Sequence, residues 1–144
     1  MAKKVLRLCL DEGVFNLRLT VGGQKALTKK FGGSALDVVL SAVDDLNKMC
    51  AVLTEALSWV GNENSITDGE AFYDLLVDND YSGVDDFNAL LVDVLECSGL
   101  MNKKQADAIK VKVAAVVNDA FENMGDEDAA AQEGGKKRPT KTTP

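Results

Sequence analysis

Histidine is absent from the chain, which removes the commonest general base, the usual partner of a Ser or Cys nucleophile and the commonest zinc ligand. Long apolar runs are absent too: nothing approaches the roughly 18 residues needed to span a bilayer. Arg7, Asp11 and Glu12 interrupt the stretch after the basic start, so no signal peptide is expected and the protein is read as cytoplasmic. Cysteine pairs are missing as well. Cys9, Cys50 and Cys97 stand far apart among apolar neighbours, and are expected as buried free thiols without metal or disulfide chemistry. No cofactor is implied, and catalysis is not expected.

Apolar residues make up 46% of the 144 and charged residues 27%, enough for one domain with a real core. Charge is unevenly placed. Residues 1–30 hold seven basic side chains against two acidic, whereas residues 31–101 hold only Lys48 against fourteen Asp and Glu. So acidic a centre repels phosphate backbones, and nucleic-acid binding is not expected. Two readings stay open: a solvated surface that keeps the protein dispersed, or a surface that steers a basic partner.

Period-two patterning marks an N-terminal β-hairpin. Leu6, Leu8 and Leu10 alternate up to the turn at Asp11-Glu12-Gly13, and Phe15, Leu17, Leu19 and Val21 alternate after it. A lone hairpin is marginal in water, so its apolar face must lie on helices, leaving two open edges for another chain. Helical spacing follows. A short helix over about 24–31 should end at Gly32-Gly33, with Gly22-Gly23 as further punctuation. Ser34 caps the next, with Asp37 three residues on and Leu36, Val39, Leu40 and Val43 as its stripe. A break is expected near Asp44-Asp45, where Asp45 can cap a helix carrying Leu46, Met49, Cys50, Leu53, Leu57 and Val60 to Gly61.

Thr67 with Glu70 forms a capping box ahead of Phe72, Leu75 and Leu76. Ser82 opens a helix burying Phe87, Leu90, Leu91, Val94 and Leu95 up to Gly99. The last helix, about 103–123, places Ala106, Ile109, Val113, Val116, Val117, Ala120 and Phe121 on one face. From Gly125 the composition turns to acids, Ala, Gly, Lys-Lys-Arg, Thr and Pro, which cannot bury a core. The expected fold is therefore α+β, mainly α. An N-terminal hairpin and about five or six helices fill residues 1–124, followed by a disordered tail over 125–144.

One local motif suggests an ion. Asp78-Asn79-Asp80-Tyr81-Ser82-Gly83 matches the first half of a calcium-binding EF-hand loop. It departs from the pattern at Asp85, where an aliphatic residue belongs, and at Ala89, where a bidentate Glu closes the loop. A calcium-responsive domain using Asp78, Asp80, Ser82 and Asp86 is thus a minor alternative, and no metal site is assigned. Trp59 is read as core or as an interface anchor, because tryptophan is enriched in binding hot spots.

The ordered set of local strings resembles the tail assembly chaperones of long-tailed bacteriophages. Those strings are Phe15-Asn16-Leu17-Arg18-Leu19-Thr20, Phe31-Gly32-Gly33, Ser34-Ala35-Leu36-Asp37, Ala51-Val52-Leu53-Thr54-Glu55-Ala56-Leu57, Phe72-Tyr73-Asp74-Leu75-Leu76 and Leu95-Glu96-Cys97-Ser98-Gly99-Leu100. The likeness covers about residues 5–101, and the final helix is longer than the family leads one to expect. It implies a non-enzymatic protein of the bacterial host's cytoplasm that binds the tape measure protein and helps recruit tail tube protein. Such a protein is absent from the mature virion and is a possible homo-oligomer. A structural tail tube or completion protein is the alternative. Candidate partner-contacting residues are Arg18, Trp59, Asp74, Asp78 and Tyr81. The family often makes a longer product by programmed frameshifting, and Gly134-Gly135-Lys136 is compatible with a slippery heptamer.

Overall fold

The computed structural model describes residues 4–128, with side chains to 121. The architecture is α+β, mainly α, as the patterning predicts. Strands β1 (Leu6–Leu10) and β2 (Gly13–Leu17) form a two-stranded antiparallel sheet, with Leu8 opposite Phe15 and Leu10 opposite Gly13. Helices α1 (Val21–Phe31), α2 (Ala35–Ser41), α3 (Leu46–Leu57), α4 (Gly69–Asp78), α5 (Gly83–Cys97) and α6 (Lys103–Asp128) follow, with a 3-10 turn over Ala42–Asp44. The chain divides into two compact units, Met1–Lys110 and Val111–Pro144, and α6 begins in the first and continues in the second. It runs past Gly125, where the tail was expected to begin; the rest of that tail, with Gly134-Gly135-Lys136, lies outside the described residues.

The hairpin lies on helices as expected. Phe15, Leu17 and Leu19 are fully buried, and the Phe15 ring meets that of Phe72 in α4 at 4.9 Å between centroids. Around them pack Leu27, Val39, Met49, Val52, Leu53, Leu57, Leu76 and the inward stripe of α5. Phe87, Leu90, Leu91, Val94 and Leu95 are all buried, each predicted from spacing. Helix α5 ends as its glycine implies: Gly99 sits at φ 82° and the Leu100 N–H reaches back to the Leu95 carbonyl at 2.9 Å.

Helix boundaries follow capping chemistry. The Ser34 hydroxyl accepts from the Asp37 N–H, and Asp45 accepts from the Lys48 N–H after the 3-10 break. Two starts differ from expectation. Thr20, not a glycine pair, caps α1, so Gly22-Gly23 lies inside the first turn rather than punctuating it. Those N–H groups have no intrahelical partner to lose, so glycine costs little there. Asp68 caps α4 by accepting from Ala71 N–H, one residue beyond Thr67, because its carboxylate is a charged acceptor beside the helix dipole.

Three stripes shift. In α2 the buried residues are Ala35, Val38 and Val39, while Leu36 and Leu40 are half-exposed. In the segment of α3, Leu46 at the helix start and Val60, beyond the helix end at Leu57, are exposed, and Val52 and Ala56 are buried. In α6, among the described side chains, only Ala106 is buried; Val116 and Phe121 are 60% and 66% exposed.

Candidate protein-binding surfaces

Arg18 and Trp59 come together, but as a brace for the hairpin. The loop after α3 folds back over the outer edge of β2. Trp59 Nε1 donates to the Asn16 carbonyl at 2.9 Å, Asn16 N–H donates to Asn62 Oδ1 at 3.1 Å, and Asn64 Nδ2 donates to the Val14 carbonyl at 3.3 Å. One residue past the end of β2, Arg18 N–H donates to the Ala56 carbonyl at 3.1 Å, and its guanidinium stands 5.9 Å from the Trp59 ring centroid. The expectation of two open edges is therefore corrected: β2's edge is closed, mostly by side chains. Asn62, itself buried, also donates to the Leu57 carbonyl at 3.0 Å and so fixes the loop to α3. Two asparagines in a polar loop carry no periodic signal, so only their contacts reveal the role.

Trp59→Ala should destabilise the first unit by about 2 kcal/mol through the lost indole area and the orphaned Asn16 carbonyl. Trp59→Phe should recover the area and leave roughly 1 kcal/mol of deficit. Urea unfolding of both variants checks this; a Trp59→Phe variant as stable as the wild type would show that the hydrogen bond contributes nothing.

Asp78 and Tyr81 flank the turn between α4 and α5. Asp78 is exposed on α4, four residues beyond the equally exposed Asp74, so the two share a helix face. Tyr81 is half-buried, its ring 6.1 Å from that of Phe87, and burial followed by the nearby Asp86 and Asp93 carboxylates raises its phenol pKa. Asn79, Ser82 and Asp86 of the ion-loop motif are engaged otherwise. Asn79 Oδ1 accepts from Asp11 N–H at 3.0 Å while its amide donates to Glu12 and to the Leu75 carbonyl, tying this turn to the hairpin turn. Asp86 accepts from Ser82 N–H at 2.9 Å. Among the described residues, no group of three or more His, Cys, Asp or Glu is arranged to hold a metal ion.

Asp74 belongs to a groove that spacing does not announce. Helices α3 and α4 approach closely because Gly69 lies against the Cys50 carbonyl, and its N–H donates to Thr54 Oγ1 at 2.8 Å. Beside that contact runs a groove of about 730 Å³, lined by Phe31, Leu46, Ala51 and Tyr73, by the carboxylates of Asp68, Glu70 and Asp74 and, over the Phe31 ring, by Lys30. Leu46, 63% exposed, offers bare apolar surface there, and Tyr73 is held by stacking on Phe87 at 4.8 Å. Cys50 lies in the same groove. Desolvation raises its thiol pKa, and the carboxylates of Glu70, Asp68 and Asp74 add to the effect.

The cysteines are not uniformly buried. Cys9 is exposed on the outward side of β1, opposite Val14, and Cys50 and Cys97 are half-buried. Burial also raises the Cys97 thiol. A raised pKa leaves less thiolate at neutral pH, so iodoacetamide should modify Cys9 first. Labelling of Cys50 should still be rising with pH above the ordinary thiol range. Mass spectrometry of partly alkylated protein checks the order, and early modification of Cys50 contradicts it.

A second, smaller groove of about 330 Å³ is almost wholly apolar, lined by Leu36, Leu40, Leu100, Met101, Ala108 and Ile109. It exists because the α2 stripe is shifted, leaving Leu36 and Leu40 outside the core. The five candidate residues thus fall in separate places: Arg18 with Trp59, Asp78 with Tyr81, and Asp74 on the larger groove.

No family model, curated protein or solved structure matches this chain. Among the described residues, no helix is long and apolar enough to cross a membrane.

Proposed function

We propose that this chain is a phage tail assembly chaperone, a non-catalytic protein that binds the tape measure protein and helps recruit tail tube subunits. It acts in the cytoplasm of the bacterial host and is left out of the mature virion. The observation that carries this reading is the groove between α3 and α4, with an apolar floor between Phe31 and Tyr73 and an acidic rim at Asp68, Glu70 and Asp74. Such a groove suits an amphipathic helix whose apolar stripe is flanked by Lys or Arg, the mode in which one helix lies in another protein's groove. The strong acidity of residues 31–101 would speed encounter with a basic partner and disfavour acidic ones.

Two measurements test it. Lysates of phage-producing cells should contain the chain and purified virions should lack it; a fixed copy number in virions favours the structural tail-component alternative. Reversing the rim with Glu70→Lys and Asp74→Lys together should weaken binding of the same phage's tape measure protein by about tenfold or more, mainly through association rate. Both side chains are exposed and neither caps a helix, whereas Asp68 is left in place because it caps α4, so the fold should survive the change. Unchanged affinity would remove the groove from the binding surface.

A further inference from the structure

We propose that two copies of this chain pair through the outer edge of β1, antiparallel about Leu8, to form one four-stranded sheet. The hairpin register fixes which backbone groups are free. Leu6, Leu8 and Leu10 face Leu17, Phe15 and Gly13 across a two-residue turn, so these pairs carry the ladder bonds within the hairpin. The N–H and C=O groups of Arg7 and Cys9 then point away from β2, and no hydrogen bond among the described residues reaches them. Three of the four equivalent groups on β2, the Asn16 N–H and the Asn16 and Val14 carbonyls, are held by Asn62, Trp59 and Asn64. One edge is thus closed by dedicated side chains and the other is bare, and a bare edge is a template for strand addition.

Space for another strand lies beside β1. Two depressions flank the strand along α5, about 340 Å³ beside Leu8, Ala89 and Leu90 and about 670 Å³ beside Leu6, Cys97 and Met101. Leu6, Leu8 and Leu10 are only partly buried and pack at the margin of the core. A third strand with apolar residues at alternate positions would complete that row.

Charge identifies the occupant as a second copy. The N-terminal ten residues carry Lys3, Lys4 and Arg7 and no acid, while the far end of β1 turns through Asp11 and Glu12. Asp80 and Asp86 line the depression that also contains Leu8 and Asn79, and Asn79 holds the hairpin turn through Asp11 N–H and Glu12. Antiparallel pairing about Leu8 sets Arg7 of each copy opposite Cys9 of the other, so their four outward groups per copy are all satisfied. It also sets Leu6 opposite Leu10, and brings Lys4 of each copy to Glu12 of the other. Shifting the centre to Arg7 would place two guanidinium-bearing residues face to face. Centring on Cys9 would bring Arg7 opposite Asp11, whose N–H is already donated to Asn79. This pairing does not depend on the partner proposed above.

The test is the association state of the full chain under reducing conditions, by sedimentation velocity over a wide concentration series. A concentration-dependent dimer is expected. Cys9→Pro removes the outward N–H and spares the hairpin ladder, so it should raise the dissociation constant by about tenfold or more, with Cys9→Ser as an unaffected control. Lys4→Glu should also weaken the dimer, and adding Glu12→Lys should restore it. If Cys9→Pro fails to fold, hydrogen exchange of the wild-type chain decides: the Arg7 and Cys9 amides should gain protection as concentration rises. A chain monomeric at every concentration, a dimer indifferent to these changes, or a monomer that takes an added basic extended peptide on β1 would overturn the proposal.

Discussion

Gly69→Ala should cost about 3 kcal/mol, at the upper end of what one added methyl group does to a packed interior. Gly69 opens α4 and is buried where that helix crosses α3. A Cβ there would collide with the Cys50 carbonyl oxygen and stand 2.7 Å from Thr54 Oγ1. The first obstacle is helix backbone, which cannot rotate aside as a side-chain end could. The two helices would have to separate, weakening the Gly69 N–H bond to Thr54 and widening the groove beside it. For a unit of this size the melting temperature should fall by ~10–20 °C. Thermal unfolding followed by circular dichroism reads this directly. A change of only a degree or two would mean that the α3–α4 crossing is loose, and the groove would lose its fixed shape.

Phe72→Ala should cost more, about 3–5 kcal/mol, the usual range for emptying a buried aromatic site. Phe72 is fully buried in α4 and its ring lies against Phe15 of β2 with planes tilted by 58°. The contact joins the hairpin to the helices at its centre, and a two-stranded hairpin has little stability alone. The loss should therefore appear first at the hairpin, as faster amide exchange at Phe15 and Leu17 than in α5. Phe72→Leu should recover more than half of the loss. Uniform loosening across all elements would instead place the main tie elsewhere.

Phe15 and Phe72 are legible in sequence, one from strict alternation and the other from its place after a capping residue. The same holds for α5, whose five spaced residues are all buried. Ser34 and Asp45 were readable because a short polar acceptor before an apolar run has a single chemical use at a helix start. The α2 stripe was not. Ala35, Val38, Val39 and Ala42 form one apolar row and Leu36, Val39, Leu40 and Val43 another, sharing Val39, and over so short a stretch spacing cannot choose between them. The larger side chains were expected inside; the smaller ones lie there because α2 sits close to α1, α3 and α5.

The candidate site was less legible than the fold. Asp74 was picked as a partner-contacting residue and stands on the groove rim, but the groove depends on a close helix crossing that one glycine permits. Trp59 reads from sequence as core or as an interface anchor, and the structure shows it bracing β2 beside Arg18. Asn62, Asn64 and Asn79 join loops to distant strand or turn atoms, 46, 50 and 68 residues away. Local pattern holds no trace of partners so remote.

Co-expression of the chain with the tape measure protein of the same phage tests the central claim most directly. The mass of any complex would be read by light scattering after tag purification on the tape measure protein alone. Tail chaperone function predicts a stable complex carrying several copies of this chain per tape measure protein, lost or thinned when Glu70 and Asp74 are reversed. A tape measure protein recovered without the chain, at concentrations where both are abundant, would contradict it.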